Sequence, residues 1–250
     1  MLAFFALAYG CSWTSFYVLG GPVVFTLGPF LAALIVSAAA GGWGGLRDVA
    51  SRILRWQVGP VWYAAAFVVP IAIGLTTAAL AILLGRPTPG AARLGPWYSA
   101  FVSFAMLLLT GDTLCEETGW RAFALPRFSP SRSPLANTLM LGLLVAGWHL
   151  PVALSESGAL APYLLATTAS TVVTNWVYYN GGESALLAWL YHTSANTVGQ
   201  YVIALFSGPN RVTYFWMLAG VNLVAAGVVV LATGRELRRQ EILVTAEPMQ

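Results

Sequence analysis

The sequence predicts an all-α fold, a polytopic bundle of membrane-spanning helices, and three observations lead to that class. Of 250 residues, 58% are apolar and 8% are charged, whereas a soluble domain is about one quarter charged. The apolar residues form about eight stretches that are long enough, or nearly so, to cross the hydrocarbon core as helices. The arginines fall between these stretches on alternate sides, as they do in the loops of multi-pass proteins.

The apolar stretches are predicted to be helices because lipid offers the backbone no hydrogen-bond partners, and a helix satisfies its own. The first stretch has no basic residues before its apolar part and carries Tyr9, Ser12 and Trp13 near its middle. We therefore interpret it as a retained helix and not as a signal peptide. The predicted spans are residues 1–19, 23–41, 60–84, 98–120, 138–154, 161–179, 184–206 and 213–233.

An interfacial amphipathic helix is predicted between the second and third spans, because apolar and charged residues there occupy opposite faces at helical spacing. The apolar residues are Trp43, Leu46, Val49, Ile53, Leu54 and Trp56, and the charged residues are Arg47, Asp48, Arg52 and Arg55.

The distribution of arginine predicts the orientation, because cytoplasmic loops collect basic residues. With both termini cytoplasmic, nine arginines lie on the cytoplasmic side and three, Arg86, Arg93 and Arg211, lie on the other. The nine are Arg47, Arg52, Arg55, Arg121, Arg127, Arg132, Arg235, Arg238 and Arg239. The chain has no lysine and is rich in alanine and glycine, a composition that favours a bacterial protein of the inner membrane.

The domain organisation predicted is a single integral-membrane domain over residues 1–234, followed by a polar cytoplasmic tail over 235–250. Two cysteines, Cys11 and Cys115, are too few for a disulfide scaffold. The arginines form no long basic face, which argues against a nucleic-acid partner.

Ionisable side chains inside the predicted spans are confined to three helices. The fourth span ends in Asp112, Glu116, Glu117 and Arg121, while His149 lies in the fifth, and His192 and Asn196 lie in the seventh. A charge at the centre of a bilayer costs roughly 2.5 to 3.5 kcal/mol, so such groups are usually paired, interior and functional. These residues therefore form the candidate site.

Helical spacing assigns the faces of these side chains. Glu117 and Arg121 are one turn apart, which predicts an ion pair that stabilises the helix. Glu116 stands about 100° away, on the face of Asp112 and Trp120, and has no obvious local partner. His192 and Asn196 also share a face, a pattern that taken alone favours interhelical hydrogen bonding.

A glutamate, two histidines and an asparagine at one depth suit hydrolysis inside a membrane. Glu116 can take a proton from water as a general base. Histidine and asparagine side chains supply donors for the oxyanion of a tetrahedral intermediate.

Three short segments carry a resemblance: EETGWR at 116–121, WHLP at 148–151 and HTSAN at 192–196. In order and spacing they resemble the motifs of the CPBP family, which unites type II CAAX prenyl endopeptidases with bacteriocin-processing and immunity proteins. The resemblance covers a core of about 97–205 and implies an intramembrane endopeptidase.

The resemblance also implies roles for the matching residues. Glu116 would activate water with the help of His149, while His192 and Asn196 would stabilise the oxyanion, and Glu117 and Arg121 would support the site. The sequence departs from the family pattern at three positions, which affect the shape of the pocket more than its chemistry. They are Trp120 and Val145, where the family prefers phenylalanine, and Ala122, where glycine is frequent.

The resemblance leaves the need for a metal open, because family members are described both as metalloproteases and as glutamate proteases. If zinc is present, His149, His192 and Glu116 would hold it and Glu117 would be the base. The sequence has no HExxH segment. We therefore favour a glutamate mechanism that requires no cofactor.

Two other functions remain open from the sequence. A proton-coupled transporter could use Asp112, Glu116, His149 and His192 as a relay, and a catalytically silent scaffold could use the same cluster for structure. The absence of an internal sequence repeat argues against the transporter. For the protease, the predicted partners are the lipid bilayer and a peptide or protein substrate reached from the cytoplasmic side. That substrate would be CAAX-like, or the reaction would be the processing of a bacteriocin or another peptide.

Overall fold

The fold is known from a computed structural model that describes residues 1–20, 25–85, 95–207 and 209–238. Within these ranges the chain forms ten α-helices and no β-strand, which confirms the predicted all-α class. The α-helices are α1 (Leu2–Val18), α2 (Leu27–Ile53), α3 (Pro60–Leu83), α4 (Ser99–Thr110), α5 (Asp112–Glu117), α6 (Pro134–Trp148), α7 (Leu150–Ser155), α8 (Leu160–Asn180), α9 (Ala185–Ala204) and α10 (Pro209–Thr233). A π-helix, Thr118–Ala124, follows α5, and 3₁₀-helices cover Leu125–Arg127 and Gly234–Glu236.

The predicted apolar stretches lie largely within these helices, but two of them are broken. The fourth is divided at Gly111, whose φ of 75° is left-handed, so that α4 and the helices after it form a bent pair with an angle of 48°. Glycine adopts this conformation without steric cost. The fifth is divided at His149, which ends α6 immediately before α7 begins.

The predicted count of about eight spans is not confirmed. Three helical segments within the described residues are long and apolar enough to cross a membrane, namely Leu27–Ile53, Pro60–Leu83 and Asn210–Glu236, and the bent pair would make four. The helices α1 and α6 are apolar but only 17 and 15 residues long. The helices α8 and α9 are longer, with 21 and 20 residues, but carry many hydroxyl and amide side chains that lower their hydropathy.

The predicted amphipathic helix is the second half of α2. The backbone leaves the helical conformation at Gly42, where φ is 54° and ψ is −139°. Beyond this kink Trp43 is exposed, as an interfacial anchor would be, and Val49 is buried. Asp48 on this segment accepts a hydrogen bond from Arg127 at 3.0 Å, which ties it to the rest of the bundle.

The polar helix α8 occupies the interior of the bundle, where it packs against α6, α9 and α10. The helix α3 packs against α9, and α1 packs against α2. Burial explains how α8 accommodates its polar residues, because Thr171, Thr174 and Asn175 all face other helices and not lipid.

An aromatic cluster packs the π-helix against α6. Trp120 packs edge-on against Trp148 with 5.5 Å between the ring centroids. The ring centroids of Phe25 and Trp148 are 4.2 Å apart. Phe4 of α1 packs on Phe123 with a centroid separation of 4.7 Å. Large rings in edge-to-face contact stabilise a core beyond their buried area. The cluster therefore fixes both segments that carry candidate site residues.

The start of the predicted tail is packed on the bundle. Leu237 is fully buried, and its carbonyl oxygen accepts a hydrogen bond from Asn180 at 2.7 Å. Arg238 pairs with Glu183 at 2.8 Å. The remainder of the tail from residue 239, together with Arg86 and Arg93, lies outside the described residues.

Candidate active site

The three sequence motifs meet at one cavity of about 660 Å³. Glu116 and Glu117 reach it from the end of α5, and Arg121 reaches it from the π-helix. His149 lines the cavity from the junction of α6 and α7, while His192 and Asn196 line it from α9. The structure thus brings together six of the seven residues that the sequence selected, and Asp112 does not line the cavity.

Glu117 is the centre of a buried hydrogen-bonded network. Its side chain is 1% exposed, and Oε1 accepts from Arg121 Nη1 at 2.9 Å and lies 2.9 Å from His192 Nδ1. The predicted ion pair of Glu117 and Arg121 is therefore present. A carboxylate paired with arginine is an acceptor, so the Nδ1 of His192 carries the proton in this contact.

The network continues through two residues that sequence reasoning missed. Arg121 Nε donates to Asn175 Oδ1 at 2.9 Å, and Asn175 Nδ2 donates to Thr138 Oγ1 at 3.0 Å. These bonds connect the π-helix to α8 and α6. An amide in an otherwise apolar stretch was the available signal, but Asn175 lies in none of the three motifs.

Glu116 has different surroundings although it is the neighbouring residue. It is 6% exposed and lines the cavity, yet its carboxylate makes no hydrogen bond within the described part of the chain. Glu116 and His192 are close enough to interact electrostatically. A buried carboxylate without hydrogen bonds is costly to maintain, so it is expected mainly where a ligand or water supplies them.

The predicted shared face holds for Asp112 and Glu116, which lie one turn apart in α5 and interact electrostatically, but not for Trp120. Asp112 is exposed and accepts a hydrogen bond from Thr26 at 3.3 Å, and Trp120 is buried in the aromatic cluster. Simple helical spacing fails for Trp120 because the π-helix after Glu117 has more residues per turn. π-Helical turns are frequent at functional sites.

His149 is held at the end of α6 by contacts from α1. Trp13 Nε1 donates to the carbonyl of Trp148 at 2.9 Å, and the Tyr9 hydroxyl donates to the carbonyl of Leu144. The ring of His149 has its Nδ1 2.9 Å from the Val145 carbonyl oxygen. Since a carbonyl only accepts, Nδ1 carries a proton and Nε2 remains for other contacts.

The position of α5 relative to α9 is fixed by a pair of buried hydroxyls. Thr113 and Thr193 are 2.7 Å apart and join the two helices beside Glu117 and His192. Asn196 follows one turn after His192, lines the cavity and makes no side-chain hydrogen bond within the described residues. Its amide is therefore free to meet a ligand.

The remaining wall of the cavity comes mainly from helices without a motif. The helices α3, α8 and α10 contribute Ile73, Gly74, Tyr163, Phe215, Leu218 and Asn222. At the far end Arg211 forms an ion pair with Glu156. This wall mixes aliphatic, aromatic and polar surface, which suits a peptide segment better than a small ion.

The residues do not form a metal site in this arrangement. A catalytic zinc ion needs three protein ligands within about 2.3 Å, so their side chains must converge on one point. Among residues 1–20, 25–85, 95–207 and 209–238, no group of three or more histidine, cysteine, aspartate or glutamate side chains is arranged to hold a metal ion. Glu117, the base in the zinc alternative, contacts Arg121 and His192 through Oε1, while its Oε2 makes no hydrogen bond in the described chain.

Residues 96–198 match the model of a protein family described as type II CAAX prenyl endopeptidase Rce1-like. The match includes all three motifs, and it supports a multi-pass membrane protease of the general CAAX type. No curated protein sequence matches the chain. The segment that carries the three motifs is thus similar to Rce1-like proteins, in agreement with the family that the motifs resemble.

Proposed function

We propose that this protein is an intramembrane endopeptidase in which Glu116 activates the water that hydrolyses a peptide bond. The observation that carries the proposal is the contrast between two adjacent carboxylates at one cavity. Glu117 is bound by Arg121 and His192, whereas Glu116 lines the same cavity without a hydrogen bond in the described chain. Oε2 of Glu117 also makes no hydrogen bond in the described chain, but the charge of Glu117 is neutralised by Arg121, which favours Glu116 as the base.

The reaction follows from these positions. Glu116 takes a proton from water, and the hydroxide adds to the carbonyl carbon of the peptide bond to form a tetrahedral oxyanion. When the carbon–nitrogen bond breaks, the proton held by Glu116 passes to the leaving amine. The products are a carboxylic acid and an amine, and Glu116 returns to its starting state.

His149 orients the attacking water in this proposal. Its Nδ1 donates to the Val145 carbonyl, so the Nε2 of the neutral ring has a lone pair that can accept a hydrogen bond from water. A water molecule held by both Glu116 and His149 has a fixed position relative to the substrate, which lowers the entropic part of the barrier.

His192 and Asn196 stabilise the oxyanion. The amide of Asn196 donates directly, because the side chain has no other partner in the described residues. His192 already donates through Nδ1 to Glu117, so donation through Nε2 requires a ring that carries both protons. Glu117 and Arg121 support the site by fixing that ring, since each member is hydrogen-bonded to the next.

The substrate is a peptide or a protein segment that enters the cavity from the bilayer boundary. The excess of arginine in loops beside the motifs supports presentation from the cytoplasmic side of a bacterial inner membrane, with both termini cytoplasmic. A CAAX-like tail and a bacteriocin or other precursor peptide are the two substrate types to compare. No metal is included in the mechanism, because the three proposed ligands do not converge in this arrangement.

The decisive experiment compares purified wild type with Glu116→Gln in lipid vesicles, using quenched peptides with and without a prenyl group. Glu116→Gln keeps the shape of the side chain and removes the base, so cleavage should be lost. The matched control is Asp112→Asn, which neutralises an exposed carboxylate of the same short helix and keeps an acceptor for Thr26.

Cleavage by wild type and by Asp112→Asn, but not by Glu116→Gln, would support the proposal. Equal cleavage by all three would remove Glu116 from the mechanism. If none of them cleaves any peptide while the wild type moves protons across the vesicle membrane, the transporter function would replace the protease.

A further inference from the structure

A second cavity, of about 710 Å³, lies at the end of the bundle where the second half of α2, the turn before α6 and the residues after α10 meet. Its described wall shares no residue with the cavity that contains Glu116. The distribution of arginine predicts that this end faces the cytoplasm. We refer to it as the basic cavity.

The basic cavity has an excess of positive charge. Its wall contains four arginines, Arg52, Arg132, Arg235 and Arg238, and two glutamates, Glu183 and Glu236. Four positive charges against two negative charges leave a formal excess of two. A net positive wall attracts an anion.

The ion pairs show which arginines remain available. Glu183 accepts from Arg52 at 3.2 Å and from Arg238 at 2.8 Å, so this one carboxylate is shared by two guanidinium groups. Arg132 and Arg235 are exposed and form no ion pair with a described residue. These two arginines are therefore free to bind an anion.

The wall also contains two neighbouring polar groups, the Tyr178 hydroxyl and the Arg52 guanidinium, which interact electrostatically with each other. Tyr178 is 1% exposed, and its hydroxyl makes no hydrogen bond of ordinary geometry within the described chain. The Nε of Arg52 is buried without an acceptor in the same wall. Buried donors without acceptors cost stability, and an anion with several oxygens could satisfy both after a small side-chain movement.

The backbone has an unusual conformation at two positions beside the basic cavity. Glu183 and Leu237 are the two non-glycine residues with positive φ in the described chain, with values of 63° and 50°. Glu183 lines the cavity, and Leu237 lies between the lining residues Glu236 and Arg238. A left-handed conformation of such residues is unfavourable and persists only where surrounding contacts impose it. Here the hydrogen bond from Asn180 to the Leu237 carbonyl is one such contact.

We propose that the basic cavity binds a phosphate group through Arg132, Arg235 and Tyr178. Arginine presents several donors in a planar fork that matches the oxygens of phosphate. Basic cavities between helices at the cytoplasmic boundary are suited to the headgroups of anionic lipids. The phosphate is that of a phospholipid headgroup or a free phosphate ion, and the test separates these two sources.

The test measures ligand binding to the purified full-length chain by native mass spectrometry. The probes are phosphatidylglycerol, phosphatidylcholine and inorganic phosphate, and the variant is Arg132→Gln/Arg235→Gln. Wild type should prefer phosphatidylglycerol over phosphatidylcholine. The double variant should bind phosphatidylglycerol on the order of tenfold or more weakly, because two charge-assisted contacts are lost.

Single variants separate the effects of charge and of the hydroxyl group, with Arg47→Gln as the matched control. Arg47→Gln removes an exposed arginine of α2 that does not line the basic cavity, so phosphatidylglycerol binding should stay at the wild-type level, whereas Arg235→Gln should lower it. Tyr178→Phe removes one hydroxyl and no charge, and should lower the affinity by a smaller factor than Arg235→Gln.

Inorganic phosphate that binds in an Arg132-dependent and Arg235-dependent manner, without a preference for phosphatidylglycerol, would identify free phosphate as the source. If wild type binds none of the anionic probes, the proposal is wrong. Equal binding of phosphatidylglycerol by wild type and the double variant would also overturn it.

Discussion

Two adjacent carboxylates show how this protein separates structure from proposed chemistry. Oε1 of Glu117 forms hydrogen bonds with Arg121 and His192. From Arg121 the network of hydrogen bonds continues to Asn175 and Thr138. Glu116 lies beside it, lines the same cavity and has no hydrogen bond in the described chain. One buried acid is used to fix helices, and the other is left available at the expense of its own solvation.

Glu116→Gln tests the carboxylate that makes no hydrogen bond, and we expect the largest effect from this variant. Loss of a general base typically lowers the rate by 10²- to 10⁴-fold, on the order of 3 to 5 kcal/mol in the barrier. Thermal stability should not fall, because the change removes a buried charge that makes no hydrogen bond in the described chain. Activity assays and thermal unfolding of the same preparations check both statements, and a variant that unfolds early would contradict them.

Arg121→Gln tests the structural role of the hydrogen-bonded carboxylate, Glu117. It leaves Glu117 buried without its cationic partner, and breaking a buried ion pair in this way costs about 3 to 5 kcal/mol. Because His192 remains in contact, the loss should lie at the lower end of that range. The measurement is the free energy of unfolding in detergent.

The double variant Glu117→Gln/Arg121→Gln is the control for this change. It removes both charges, so it should be more stable than Arg121→Gln alone. If the double variant is as unstable as the single one, the pair contributes through packing and not through charge.

Asn196→Ala tests whether Asn196, like Glu116, acts in the reaction and not in holding the fold together. Loss of one oxyanion donor lowers kcat by roughly 10²- to 10³-fold, about 3 to 4 kcal/mol. Stability should change little, since the Asn196 amide has no hydrogen-bond partner in the described residues. Steady-state kinetics separate the two outcomes: a fall in kcat is expected, and a change confined to KM would assign Asn196 to substrate binding.

Gly119→Ala sharpens the comparison by changing backbone packing near both acids without altering a charge. A Cβ atom at Gly119 would lie 2.4 Å from the Cβ of Pro29 in α2, so the π-helix would have to shift. Overpacking of this kind costs about 1 to 3 kcal/mol. Gly10→Ala is the matched control, since no atom lies within 4 Å of the added carbon, and it should not destabilise the protein. Equal unfolding midpoints for the two variants would contradict the close contact.

The sequence predicted the elements better than it predicted their faces. Apolar runs located the helices, and the spacing of Glu117 and Arg121 anticipated their ion pair. The same spacing rule misplaced Trp120, because it assumes an α-helix where the chain forms a π-helix. The π-helix Thr118–Ala124 packs on α2 and on the aromatic cluster, and no local pattern in the sequence records these contacts.

Long-range partners were the other part that the sequence did not reveal. Asn175 is 54 residues from Arg121 and 37 from Thr138 along the chain, so only the packed bundle brings them together. The number of spans also depends on tertiary structure. A helix such as α8 can be polar because other helices shield it from lipid, and hydropathy alone does not distinguish that position from an aqueous one.

The wall supplied by α3 and α10 has a consequence for how such a protein can diversify. These helices contribute Ile73, Phe215 and Leu218 to the cavity, yet both lie outside residues 96–198. Under the proposed function, the reacting groups and much of the surface that selects a substrate are encoded in separate stretches of the chain. New specificities could therefore arise, or be engineered, by exchanging α3 and α10 while every motif stays intact.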